Sequence, residues 1–116
     1  MKKNIPLFKI STSERDIAAV NNVIKSKASW AVGDSIKDFE THINKLNKTK
    51  YAVAFNSGTS ALIAMIISSG LKNAEIIVPS FSFISTASSV ILSGNKIKFS
   101  DIETDSYALS YKDLKH

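Results

Sequence analysis

A chain of 116 residues with 44% hydrophobic content has the size of one modest core, and its lack of cysteine excludes both a disulfide framework and a thiolate metal centre. The formal charge of +5 does not make it a nucleic-acid binder. Residues 1–50 hold ten Lys/Arg against five Asp/Glu and residues 51–116 hold five against five, so the excess is scattered over amphipathic helix patterns, with neither an arginine cluster nor interleaved aromatics.

The opening Met1-Lys-Lys-Asn carries two positive charges, but Pro6, Lys9, Ser11 and Glu14 prevent an export-type apolar run from following. The longest strictly apolar run, Ala61 to Ile67, falls well short of the roughly 20 residues a spanning helix needs. These features predict a soluble protein of a reducing, cytoplasmic compartment, with no membrane and no nucleic acid among its partners.

Ser13-x-x-Asp16 has the form of a capping box, and Ile17, Val20 and Ile24 recur at helical spacing, which predicts a helix over 14–26. Lys27 to Asp34, with Trp30 and Gly33, reads as irregular. Ser35-x-x-Asp38 predicts a restart, with Ile36, Phe39, Ile43 and Leu46 on one side. His42 belongs to the solvent side of that helix, and no metal is expected.

From Tyr51 to Asn95 only Lys72 and Glu75 are charged, and segments this apolar should be covered on nearly all sides. Residues 51–55 read as a short buried strand, Asn56-Ser-Gly58 as a turn, and Thr59 to Ser69 as a helix closed by Gly70. Glu75 to Val78 is a second strand stopped by Pro79. Ile84 to Leu92 reads as a helix, although so short an apolar run also suits a strand. Lys96 to Phe99 is a third strand. The alternation predicts an α/β fold: a mainly parallel three-stranded sheet with helices on both faces, and Gly58 and Phe83 near one edge. Ser110-x-x-Asp113 announces a further helix that is cut after one turn, so the chain is expected to stop before the fold does.

Two segments carry candidate chemistry. At Phe55-Asn-Ser-Gly-Thr-Ser-Ala-Leu62 a strand would run through a glycine turn into a helix whose first N–H groups, at Gly58, Thr59 and Ser60, match a phosphate's oxygens. Two readings are open: Ser57 or Thr59 merely caps the helix, or the turn binds an anion. Neither a Gly-x-Gly-x-x-Gly nor a Gly-Lys-Ser/Thr loop is present, so a single phosphate on a small cofactor or sugar fits the turn best. Phe81 and Phe83, in Pro79-Ser-Phe-Ser-Phe-Ile-Ser-Thr86, are either two packing residues or one packing residue and one that stacks on a flat heteroaromatic ring.

In order and spacing, Asn56-Ser-Gly-Thr-Ser-Ala-Leu62, Ile77-Val-Pro-Ser-Phe-Ser-Phe-Ile-Ser-Thr86 and Phe99-Ser-Asp-Ile102 resemble the first part of the large domain of the DegT/DnrJ/EryC1/StrS family. Ile5-Pro-Leu-Phe8, Trp30-Ala-Val-Gly33 and Phe39-Glu40 are similar to the family's opening, its Trp/Gly loop and a helix start. The resemblance implies a fold type I transferase that uses pyridoxal 5'-phosphate to aminate nucleotide-linked ketosugars, with an amino donor such as glutamate. It implies a homodimer, and products destined for polysaccharide, lipopolysaccharide or glycosylated metabolites. The chain would then divide into amino-terminal helices and the Trp/Gly loop at 1–50 and the truncated first part of the cofactor-binding large domain at 51–116.

By the same resemblance Gly58, Thr59 and Ser60 hold the cofactor phosphate, Phe83 stacks on the pyridine ring and Phe81 packs. Trp30 and Gly33 lie in a loop lining the active-site region, and Asp101 organises the backbone near the pocket. The chemistry also needs a lysine amine to hold the cofactor and a carboxylate against its pyridine nitrogen. Lys50, Lys72, Lys96, Lys98, Lys112 and Lys115 lie outside the context those roles require, so no catalytic residue is assigned and the chain alone is expected to be inactive. Some relatives replace the lysine with histidine and perform dehydration, but neither His42 nor His116 occupies the matching region. The alternative to part of an aminotransferase is a non-catalytic remnant, or one half of a split enzyme, that retains phosphate binding.

Overall fold

The structure is a computed structural model that describes residues 5–27 and 32–115. The elements run α1 (Glu14–Lys25), α2 (Asp34–Asn47), α3 (Gly58–Ser68), β1 (Glu75–Pro79), α4 (Ile84–Leu92), β2 (Lys96–Ser100) and α5 (Tyr111–Leu114). The chain divides into two units, Met1–Ala52 and Val53–His116. No helix among the described residues is long and apolar enough to cross a membrane.

In the first unit α1 begins at the predicted capping box. The Ser13 N–H donates to Asp16 Oδ2 at 2.7 Å, the Ser13 hydroxyl donates to the same oxygen at 2.8 Å, and the Asp16 N–H returns to Ser13 Oγ at 3.4 Å. The backbone N–H bond, followed by the hydroxyl bond, holds the Asp16 carboxyl below its ordinary value. Because its folded pKa is depressed, Asp16 stabilises α1 fully above the unfolded carboxylate value of about 3.9, and that contribution disappears as pH falls through the lower folded value. In an acid titration followed by NMR, the Asp16 amide is expected to leave its capped shift below about pH 4. A shift unchanged down to about pH 2 would contradict this.

Helix α2 starts one residue before Ser35. Gly33 is its N-cap without a side-chain bond, because the Ile36 N–H already reaches the Gly33 carbonyl at 3.1 Å and closes the turn by backbone alone. His42 is exposed, with Nδ1 at 2.7 Å from the Asp38 carbonyl.

The second unit is built on a parallel pair, with Glu75 opposite Lys96 and Pro79 opposite Ser100. Crossover helix α4 packs on both strands, and α3 packs on α4. Val78 and Val90, 4% and 1% exposed, are the buried apolar residues between helix and sheet. Asn95 pins the crossover. Its Oδ1 accepts the Ala74 N–H at 3.0 Å, and its Nδ2 donates to the Leu71 carbonyl, the Ser93 carbonyl and Ser93 Oγ at 3.2–3.3 Å. Gly70 closes α3 at φ +74°, a left-handed turn that glycine enters without steric cost. After β2 the chain folds back: Ile102 bridges Leu109, and the Glu103 N–H donates to the Ala108 carbonyl at 2.9 Å. Ser110 then caps the one-turn α5.

Two expectations are corrected. The stretch 51–55 forms no strand, and the sheet has two members, not three. Tyr51 and Val53 are exposed. A strand exists only where a neighbouring backbone completes its ladder, and neither β1 nor β2 extends one to this stretch, so Gly58 opens its helix without following a strand. Nor is the apolar region covered on nearly all sides. Met65, Ile67, Ile91 and Leu92 are exposed, because α4 on the sheet and α3 on α4 each bury one stripe.

Candidate functional site

The start of α3 is organised by Ser57, which is its N-cap. Ser57 Oγ accepts the Ser60 N–H at 3.1 Å and donates its own proton to Ser60 Oγ at 2.9 Å. Ser57, not Thr59, therefore does the capping. The first N–H groups of a helix lack an internal acceptor, and those of Gly58 and Thr59 have no hydrogen-bond partner among the described residues. The Thr59 hydroxyl likewise has no hydrogen-bond partner among the described residues. The N–H of Ser60 is taken by the cap, while its hydroxyl, accepting from Ser57, still has a proton to donate outward. A Cβ built on Gly58 would meet nothing within 4 Å, and Gly58 is not among the glycines of positive φ. What its missing side chain leaves is room beside the N–H groups.

The other predicted residue lies in the four-residue connection from β1 to α4, at the carboxyl end of the parallel pair, where open α/β sheets bind ligands. Phe83 is the N-cap of α4 by backbone, with the Thr86 N–H reaching its carbonyl at 3.0 Å, and the residue is 76% exposed. Phe81 is exposed as well and leans on Tyr107. Asp101 links the two ends of the pair. Its Oδ1 accepts the Ile102 N–H at 2.8 Å and the Ser80 hydroxyl at 3.4 Å. Ser57 was legible only as one of two possible caps, and Tyr107 had no signal in the sequence. Trp30 and His116 lie outside the described residues, and Gly33 belongs to the first unit.

A parallel β–α–β unit with a further helix packed on its crossover is part of an α/β fold. The DegT/DnrJ/EryC1/StrS aminotransferase family model matches residues 11–116, and the chain belongs to that family. It is 30% identical over 119 residues to the GDP-4-keto-6-deoxy-D-mannose 3-dehydratase of Escherichia coli O55:H7, covering 97% of this chain and 30% of that protein. To the GDP-perosamine synthase of Vibrio cholerae it is 29% identical over 112 residues, covering 96% and 30%. The structure of the Escherichia coli dehydratase with bound hydrated pyridoxal phosphate superposes with a TM-score of 0.85 at 30% identity, over 97% of this chain and 30% of that one. The chain thus forms part of a fold type I α/β transferase fold, and it spans about 30% of the length of the curated relatives it matches.

Proposed function

We propose that this chain supplies the phosphate-holding helix start and the ring-stacking aromatic of a pyridoxal-phosphate-dependent aminotransferase acting on nucleotide-linked ketosugars. The observation that carries it is the open start of α3, where Ser57 satisfies Ser60 and leaves the Gly58 and Thr59 N–H groups and the Thr59 hydroxyl to an anion. These groups fit the cofactor: three donors and the Ser60 hydroxyl for the phosphate, the positive end of a helix behind them, and the Phe83 ring for the pyridine face. When bound, the cofactor supplies the electron sink for amino transfer. The chain's own residues bind and orient it.

In this reading residues 1–50 are the amino-terminal part and residues 51–116 the first part of the cofactor-binding large domain, which carries the cofactor contacts. The enzyme works in the cytoplasm as a homodimer, with glutamate as a suitable donor, toward lipopolysaccharide or another polysaccharide. A dehydratase among the relatives favours a second reading, in which the same contacts serve dehydration of a nucleotide sugar.

Titration of the chain with pyridoxal phosphate, followed by absorbance, tests the site. Thr59→Ala is expected to weaken binding by about 1–2 kcal/mol, the scale of a hydrogen bond to a charged group. No amino transfer from glutamate is expected, since no residue of this chain is assigned the lysine or carboxylate role. Equal affinity in variant and parent would remove Thr59 from the site.

A further inference from the structure

Of the four residues between β1 and α4, three are anchored. Ser80 donates its N–H to the Ser100 carbonyl at 2.8 Å and its hydroxyl to Asp101, and the Ser82 and Thr86 hydroxyls share a bond of 2.8 Å. Phe81 is anchored by its ring, whose centroid lies 6.3 Å from that of Tyr107 with the planes tilted by 37°, within the range where aromatic pairs attract. The fourth residue, Phe83, leaves its ring to solvent.

Tyr107 holds its place in an unfavourable conformation, at φ +56°. A bulky side chain in the left-handed region is an outlier that persists only when its surroundings over-determine it. Lys48 shares the region as the left-handed cap of α2, Lys27 follows Ser26, the C-cap of α1, and Asn73 is of a residue type that tolerates it. Tyr107 ends no helix. The surrounding bonds fix it: its N–H donates to the Glu103 carbonyl at 3.0 Å, the Ile102–Leu109 bridge closes the turn, and the Ser110 N–H to the Asp101 carbonyl and the Asp101 N–H to Asp113 Oδ2, both 2.8 Å, lock the base. The turn brings the phenol against Phe81. Both rings remain mostly exposed, 66% and 72%, so burial does not account for the pairing.

We infer that Tyr107 is a positioning residue which, through Phe81, sets the course of residues 80–83 and hence the orientation of the Phe83 ring. The meaning of that orientation rests on the pyridoxal phosphate reading above; the geometry does not.

Three variants of the 116-residue chain test it. Tyr107→Gly removes the ring and accepts the positive φ, Tyr107→Phe keeps the ring, and Phe81→Ala removes the partner ring without touching the 102–109 turn. The Phe83 amide and ring signals are read by NMR without ligand, and affinities are then measured for pyridoxal phosphate and for inorganic phosphate. Tyr107→Gly and Phe81→Ala are expected to move the Phe83 signals and to weaken pyridoxal phosphate about fivefold. Inorganic phosphate, which needs only the start of α3, should bind as before, and Tyr107→Phe should match the parent throughout. Unmoved Phe83 signals in Phe81→Ala and Tyr107→Gly would overturn the inference. So would an equal loss of both ligands, which marks a general loosening of the unit. If the parent binds pyridoxal phosphate no better than phosphate, the stacking role of Phe83 fails, while the Phe83 signals still decide the role of Tyr107.

Discussion

Replacing Asn95 with alanine is expected to destabilise the second unit by about 2–4 kcal/mol, because a buried polar group left without its partner costs about 1–3 kcal/mol and this side chain serves several. Asn95 is 8% exposed. Alanine would orphan the Ala74 N–H where β1 begins and withdraw the donor shared by the Leu71 and Ser93 carbonyls. Leu71 and Ala74 precede β1 while Ser93 and Asn95 lie between α4 and β2, so the crossover loses its clasp as well as its bonds. The buried apolar contribution is small, resting on Val78 and Val90, and offers little reserve against such a loss. Urea unfolding followed by circular dichroism measures the effect as a shift in midpoint at constant slope. A loss below about 0.5 kcal/mol, the range of an ordinary surface change, would show that water replaces the amide. Asn95→Asp keeps the acceptor for Ala74 but sets a buried carboxylate against the Leu71 and Ser93 carbonyls, and near neutral pH should be at least as destabilising as alanine.

Gly58→Asp is expected to move stability and binding in opposite directions. Nothing lies within 4 Å of the position a Cβ would take, and the residue is not held at positive φ, so the backbone accepts the change. A carboxylate in the first turn faces the positive end of α3, which favours the helix by about 0.3–1 kcal/mol. The same charge confronts an incoming phosphate. At about 4 Å, two unit charges repel by roughly 1–4 kcal/mol between bulk water and a surface environment, and the phosphate also loses its space, so affinity should fall about a hundredfold. Thermal unfolding and titration with inorganic phosphate read the two quantities separately. Binding retained within about twofold in a folded variant would take the phosphate away from α3.

Features decided by neighbours in sequence were legible. The Ser13–Asp16 box, the glycine after α3 and the cap at Ser110 each need only a few adjacent residues, β1 and β2 were marked by short apolar runs between turn signals, and α4 was settled as a helix from two open readings. The group Gly58, Thr59 and Ser60 was legible as a helix start, but not that Ser57 engages Ser60 and thereby leaves Gly58 and Thr59 open. Features decided by distant partners were not legible. The apolar stretch 51–55 announces burial, yet hydrophobicity does not say which backbone would complete its ladder. The bond from Asn95 to Ala74 and the stacking of Tyr107 on Phe81 join residues from different elements, and a tyrosine in left-handed backbone leaves no mark on composition or period. At α2 a backbone turn from Gly33 prevailed over the side-chain signal of Ser35.

The pairing of β1 with β2 joins Glu75 to Lys96 across a single short crossover. Loop-closure entropy rises only with the logarithm of loop length, and mixed α/β topologies fold between the roughly microsecond-to-millisecond range of helical proteins and the roughly millisecond-to-second range of all-β ones. A ribosome adds about 5–20 residues per second. The register of β1 on β2 is therefore set on a timescale comparable with the addition of the next few residues, so the crossover forms alongside synthesis and not long after it.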